Sequence, residues 1–369
     1  MTKTIVYYHP KAIVTQSNRG SEVRVANMLF AFRQLDYEVR VISGISKERH
    51  KQIKKLKSDI VAGLAIEFVY GESTNAPIML ADKRLIPSLL YKDYAFFSWL
   101  KKRDIPLGIF YRDLHWAFNF LDQQLPWPLN KLLKPLYYLD WYMYDKYSSV
   151  LFLPSQSMNR HLPRERAESM VQALPPGFDA SIRPRQPYTL NSEQPLQLLY
   201  VGGIEPTVYD IAPFLSIIFK RRDVRLTLCC RAPEWEKYRH RYESYIGENI
   251  VLVHASNNEL ADYYHRADLS VMLMANSEYM NFAVPVKLFE SIGYCVPIIS
   301  FGHTEVASYI TTDDFGWVIE KLDELDTLIT RLTENREILS QKYHNLLALR
   351  HKSSWEMRAR SAATQLLQR

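Results

Sequence analysis

Three groups of residues in this sequence are of types and spacings that could do chemistry. The first is Arg112-Asp113-Leu114-His115, which closes the apolar run Leu107 to Tyr111. A carboxylate and an imidazole at the end of a strand suit a general base, or an anchor for an acceptor hydroxyl. The plain alternative is a local Arg–Asp pair beside a packed histidine. The second group is Lys287 and Glu290, three apart and so on one face of a helix that Pro285, Val286, Lys287 and Leu288 would open. A helix N-terminus with a lysine suits a diphosphate, and a glutamate one turn in could accept both hydroxyls of a ribose. The plain alternative is a surface ion pair, which is common. The third group is glycine. Gly20 precedes a helical pattern, and Gly202-Gly203 follows the apolar run Leu196 to Val201. At such places a missing side chain lets the backbone approach a phosphate or a sugar. Arg231 and His254 end two more apolar runs, Val224 to Cys230 and Ile250 to Val253.

These residues matter only if the elements before them are strands of one kind of sheet. Residues 4–8 read as a short buried strand. After the loop 16–21, Val25, Leu29 and Phe32 fall on one helical face, with Ser21 as the expected N-cap. Further strands are expected at 39–43, 65–70, 107–111 and 150–153. A lysine-rich solvated helix is expected at 47–58, and amphipathic helices at 83–103 and 128–147. Residues 180–196, with Pro184, Pro187 and Pro195, read as a linker. The pattern then restarts with strands at 196–201, 224–230, 250–253, 269–274 and 298–300, and helices at 258–266 and 285–293. From about 322 onward the chain reads as helical. Strands alternating with helices give an α/β fold class with parallel, doubly wound sheets. The expectation is two Rossmann-like domains facing across a cleft, 1–190 and 191–345, with 346–369 a C-terminal helix packing back on the first. Ligands of such sheets lie beyond the carboxyl ends of the strands, where the candidate residues fall.

Bulk properties narrow the function. The chain has 369 residues, 47% hydrophobic and 23% charged, a globular composition of two-domain length. Its three cysteines, Cys229, Cys230 and Cys295, match no disulfide or zinc spacing and read as reduced thiols. The start MTKTIVYYHP does not read as a signal peptide, and no apolar stretch is long enough to span a bilayer. No metal-binding Asp-x-Asp stands out; Asp313-Asp314 reads as a solvent-exposed loop. The net charge of +6 is uneven. Residues 1–190 carry 27 Lys+Arg and 17 Asp+Glu, giving 27 − 17 = +10, and the remainder carries 19 − 23 = −4. A basic first half is expected to meet something anionic. Two aromatic and basic segments, 84–103 and 127–147, point to an anionic membrane surface rather than to nucleic acid.

With these motifs in order, the chain resembles from end to end the glycogen-synthase-like family of GT-B glycosyltransferases (glycosyl transferases group 1, family 4-like). Arg19-Gly-Ser-Glu22 resembles the family's glycine loop. Pro106 to Asp113 resembles the strand ending in a His-Asp pair, with Arg112 in place of the histidine. Leu153-Pro-Ser155 and Leu174-Pro-Pro-Gly-Phe-Asp179 resemble two further family turns. Tyr200-Val-Gly-Gly203 resembles the first strand of the donor domain. Glu290, with Pro297-Ile-Ile-Ser300 after it, resembles the family's second glutamate and the following strand. Gly302, Glu305 and Gly316 continue the pattern, and Ser354-Trp355-Glu356 resembles the helix that crosses back. The family's first glutamate would fall at Phe282, with Glu278 nearby, and Arg231 and Lys287 stand in for its diphosphate-binding Arg and Lys.

The resemblance implies transfer of a sugar from a nucleotide-sugar, such as a UDP- or GDP-sugar, with the donor in the second domain and the acceptor in the first. Gly20, Gly202, Gly203, Arg231, His254, Pro285, Val286, Lys287, Leu288 and Glu290 are the expected donor contacts. Asp113, His115 and Lys287 are the expected catalytic groups, with no metal and no further cofactor. Retention is expected, in which the leaving phosphate takes the acceptor proton; an inverting enzyme would use Asp113 as base. A lipid-linked or polysaccharide acceptor of cell-surface glycan biosynthesis is expected, at the cytoplasmic, inner face of the membrane. The competing expectations are an inactive GT-B binding or stabilising subunit, motivated by Phe282, and a sugar-nucleotide 2-epimerase.

Overall fold

The structure, a computed structural model, describes residues 3–14, 20–82, 91–118, 127–188, 194–256 and 259–369. They form two compact units: residues up to Pro176 with Trp355–Arg369, and Gly177–Ser354.

In the first unit, strands and helices alternate in chain order as β1 (Thr4–Tyr8), α1 (Gly20–Gln34), β2 (Glu38–Ile42), α2 (Ser46–Val61), β3 (Val69–Glu72), α3 (Lys92–Lys101), β4 (Leu107–Phe110), α4 (Leu129–Tyr147), β5 (Val150–Leu153) and β6 (Val171–Ala173). The six strands make one parallel sheet in the order β2-β1-β3-β4-β5-β6. All five residues of β1 are buried, as a strand covered on both faces requires. Val25, Leu29 and Phe32 turn the face of α1 into the core as their spacing predicts. The C-terminal helix, Trp355–Leu367, packs its small-residue stripe Ala359, Ala362 and Ala363 into the same core.

The second unit runs β7 (Leu196–Val201), α5 (Ala212–Phe219), β8 (Val224–Cys229), α6 (Ala232–Tyr242), β9 (Ile250–Val253), α7 (Leu260–Arg266), β10 (Leu269–Met272), α8 (Glu278–Asn281), α9 (Val286–Tyr294), β11 (Ile298–Phe301), α10 (Glu305–Asp313), β12 (Gly316–Ile319), α11 (Glu324–Glu334) and α12 (Glu337–Leu349). Its sheet is again six-stranded and parallel, in the order β12-β11-β10-β7-β8-β9. In each sheet, therefore, all strand carboxyl ends lie along one edge.

Several elements differ from expectation. Strand β3 lies four residues later than its expected start, because Val69 pairs with Val6 of β1 and Leu107 of β4. Helix α2 is more than a solvated helix. It buries Ile53, Leu56 and Arg49, whose guanidinium is held by Asp93 at 2.7 and 3.0 Å. Strands β6 and β12 were not expected. Ser21 lies within α1 rather than before it. The loop at 16–21 lies largely outside the described residues, as do residues 83–90 of the expected helix 83–103. The units part at Pro176, before the proline-rich stretch read as a linker. Residues 177–188 belong with the second unit: Arg185 pairs with Asp268 at 3.3 Å, and Tyr188 donates to the Asp268 carbonyl at 2.7 Å.

Candidate functional site

In the first unit, the carboxyl ends of β1, β3 and β4 deliver His9, Glu72 and Arg112-Asp113. Glu72 is buried at the end of its strand. It accepts the Tyr70 hydroxyl at 3.0 Å and faces two guanidinium groups, Arg112 at 3.2 Å and Arg24 at 3.4 Å. The Arg24 guanidinium lies over the Phe110 ring, 3.5 Å from its centroid. Burial, then the Glu72 charge, raises the Tyr70 phenol well above its ordinary range.

Asp113 turns into its own loop. One carboxylate oxygen accepts the His115 backbone N–H at 2.9 Å, and the other lies 3.5 Å from His115 Nδ1. His115 Nε2 is 3.4 Å from the Tyr137 hydroxyl, which donates to the Asn75 carbonyl at 2.9 Å. The dyad lines a narrow recess with Ser73, Thr74 and Asp140. Asp140 is buried there, and burial pushes its carboxyl up to about 7, against the hydrogen bonds from Tyr94 and from the Ile78 N–H at 2.9 Å. Gly20, on the same unit, is the first described residue of α1.

In the second unit, Gly202 and Gly203 follow β7. A Cβ on Gly203 would lie 2.9 Å from the Tyr209 ring and 3.1 Å from a Glu234 oxygen, so the close approach requires glycine. Glu234, on α6, accepts the N–H of Ile204 at 2.8 Å and of Glu205 at 3.2 Å. Its other oxygen takes Arg231 Nε at 3.0 Å and Nη2 at 2.8 Å. Arg231, expected as a diphosphate cation, is thus paired with Glu234 while its side chain stays 73% exposed. His254, after β9, bonds the Cys230 carbonyl through Nδ1 at 2.9 Å.

Helix α9 opens behind Pro285. Lys287 Nζ lies 2.9 and 2.7 Å from the two Glu290 oxygens, and the Tyr264 hydroxyl donates to Glu290 at 3.3 Å. The pair sits near the end of β8. The Cys229 thiol there is raised chiefly by burial, and Lys287 and Glu290 both act on it. The Leu288 side chain is fully buried and its N–H bonds the Pro285 carbonyl. Val286 and Pro285 are half-buried beside it. Phe282, where the family's first glutamate would fall, is buried as well.

Sequence reasoning missed His9, Glu72, Arg24, Glu234 and Tyr264. His9 follows a fully buried strand, and the strand-end rule that found Asp113 would have found it. Burial of the charged groups left no trace in the spacing.

Two parallel sheets, each with its chemically competent residues at the strand ends, give this chain the two Rossmann-like domains of the GT-B glycosyltransferases. Solved structures of that fold cover it almost completely. HepE of Anabaena in complex with UDP and glucose aligns with a TM-score of 0.65 and 9% identity over 100% of both chains. Sucrose-phosphate synthase from Thermosynechococcus elongatus gives 0.61 and 12% over 99% of this chain and 98% of the other. WaaG, a glycosyltransferase involved in lipopolysaccharide biosynthesis, gives 0.60 and 16% over 98% and 99%. No curated protein sequence matches the chain. Residues 195–335 match the family Glycosyl transferases group 1. The chain thus has the GT-B fold, and its second unit is similar to the group 1 glycosyltransferases over residues 195–335. Among the described residues, no helix is long and apolar enough to cross a membrane.

Proposed function

We propose that this chain transfers a sugar, with retention, from a UDP- or GDP-sugar to a lipid-linked or polysaccharide acceptor of cell-surface glycan biosynthesis, working on the inner face of the membrane. The observation that carries the donor half is the Lys287–Glu290 pair at the opening of α9, inside the segment that matches the family. A carboxylate offers about four acceptor sites, of which Lys287 and Tyr264 use three. When Lys287 swings toward a diphosphate, Glu290 is released to accept a ribose diol. The negative charge that builds on the leaving diphosphate then meets the lysine and the N-terminus of α9. The UDP-bound neighbour supports the donor class, and WaaG and WaaB, both lipopolysaccharide glycosyltransferases, support the acceptor class.

The test is transfer of label from a panel of radiolabelled UDP- and GDP-sugars into membrane extract. Label in a lipid or glycan fraction is expected from one donor. No transfer from any donor overturns the reading. It would leave a catalytically inactive binding subunit, the alternative that buried Phe282 favours.

A further inference from the structure

The first unit holds a second feature, beside the Asp113 loop: a cavity of about 180 Å³ at the carboxyl end of β1. Its polar lining is His9, Lys11, Glu22, Thr74, Asn75 and Arg112. We infer that it binds a saccharide bearing an anionic group, a phosphate or a carboxylate, with the anion on the cations and a sugar hydroxyl on His9 Nε2. This rests on the glycosyltransferase reading and names the class of acceptor.

The first argument is charge. Arg24 and Arg112 share the single buried carboxylate of Glu72, and Lys11 adds a third cation on the exposed rim. Among the described residues, Glu72 and Glu22 stand against them, so three positive groups meet two negative ones. The excess lies where Arg112 enters the cavity. A neutral sugar would leave it uncompensated, and a second cation would be repelled. An anion is the ligand that completes it.

The second argument is His9. It is only 6% exposed, and its Nε2 has no hydrogen-bond partner among the described residues. Its Nδ1 lies 2.8 Å from the Lys11 carbonyl oxygen and 3.3 Å from the Lys11 N–H. A carbonyl can only accept, so the shorter contact places the proton on Nδ1 and leaves a lone pair on Nε2. Burial lowers the imidazole to about 4, so the ring is neutral near pH 7. A buried acceptor without a donor costs free energy until a ligand supplies one. A sugar hydroxyl is such a donor; sulfate, which carries no proton near pH 7, is not. The volume suits a single ring, since a cavity of about 150 Å³ already holds benzene.

The test is calorimetry on the full chain with glucose 6-phosphate, glucuronate, glucose and sulfate. Binding of either anionic sugar at least about tenfold tighter than glucose is expected, and the stronger of the two tells phosphate from carboxylate. Lys11→Ala should weaken the anionic sugars. His9→Phe should weaken them by about tenfold while leaving sulfate unchanged. Glucose bound as tightly as both anionic sugars, or an unaltered affinity in His9→Phe, overturns the inference. If His9→Phe does not fold, the 15N resonance of His9 Nε2 in the native chain decides. It should start as an unprotonated nitrogen and shift on adding glucose 6-phosphate; an unmoved resonance overturns the site. UDP titrated into the same sample separates the two readings. UDP binding without anionic-sugar binding removes this inference and leaves the donor site standing.

Discussion

At the scale of single residues, the donor reading turns on one carboxylate. Glu290→Gln keeps the shape of the side chain but loses the charge that Lys287 and Tyr264 organise. Loss of charge-assisted hydrogen bonds to a ribose should cost roughly 1.5–3 kcal/mol, a drop of about ten- to a hundredfold in UDP affinity. Calorimetry that finds equal UDP binding in mutant and parent removes the assignment. Asp113→Asn works on the other unit. Asn can still accept the His115 N–H through its carbonyl oxygen, so the loop should hold. Turnover should fall while UDP affinity stays, and near-normal turnover would make Asp113 a loop residue only. Both positions were legible from sequence because spacing marks them: a pair one helical turn apart, and polar residues closing an apolar run. Glu234 was not legible. Its role comes from the Ile204 and Glu205 amides thirty residues away in sequence, and nothing local signals that contact.

At the scale of elements, Asp140 ties three pieces of the first unit together. It sits on α4, takes the Tyr94 hydroxyl of α3, and accepts the Ile78 N–H after β3. Its carboxyl titrates near 7 rather than 3.8, chiefly through burial. A carboxyl raised in the folded state contributes stability fully below its unfolded value, and loses it as pH rises through its folded value. Between about pH 4 and 7 the parent should therefore lose a few kcal/mol that Asp140→Asn does not lose. The measurement is the difference in melting temperature between the two proteins across that range. A constant difference would show that Asp140 does not titrate there. The elements themselves were largely legible, since a buried strand such as β5 is a continuous apolar run and β1 and β7 are nearly so. The exceptions have physical reasons. Strand β6 has three residues, of which only Val171 is buried, so it carries almost no apolar signal. Strand β12 starts at Gly316, a residue depleted in strands, because a Cβ there would lie 2.1 Å from the Ile298 carbonyl oxygen.

At the scale of the whole molecule, the remaining question is what the basic first half meets. Helix α3 does not supply an apolar membrane face, because Phe96, Phe97 and Leu100 are fully buried in the first unit. Its Leu85, Leu89 and Leu90 neighbours lie outside the described residues. Helix α4 is divided. Tyr137, Trp141 and Tyr144 point into the core, while Leu132, Tyr138 and Tyr142 are 65%, 52% and 53% exposed. Lys131, Pro135, Tyr138, Tyr142 and Lys146 follow helical spacing along that outer face, all exposed. Trp127 is 77% exposed just before the helix. The Lys101 ammonium donates to the Lys146 carbonyl at 2.7 Å, which brings the basic end of α3 (Lys101, Lys102 and Arg103) to the same end of α4. Aromatic rings flanked by cations suit the headgroup layer, and each Lys or Arg near an anionic surface contributes about 1 kcal/mol. The prediction is reversible attachment through this face. The protein should co-sediment with vesicles containing phosphatidylglycerol, not with pure phosphatidylcholine, and should be released by added salt, since screening weakens the attraction. Replacing Tyr142 by serine should reduce binding with little change in melting temperature, because its ring is largely exposed, whereas the Tyr138 ring packs against buried Trp116 at 4.8 Å and is left in place. No sedimentation with anionic vesicles at low salt would reject the membrane face, and the acceptor would then be sought among soluble glycans.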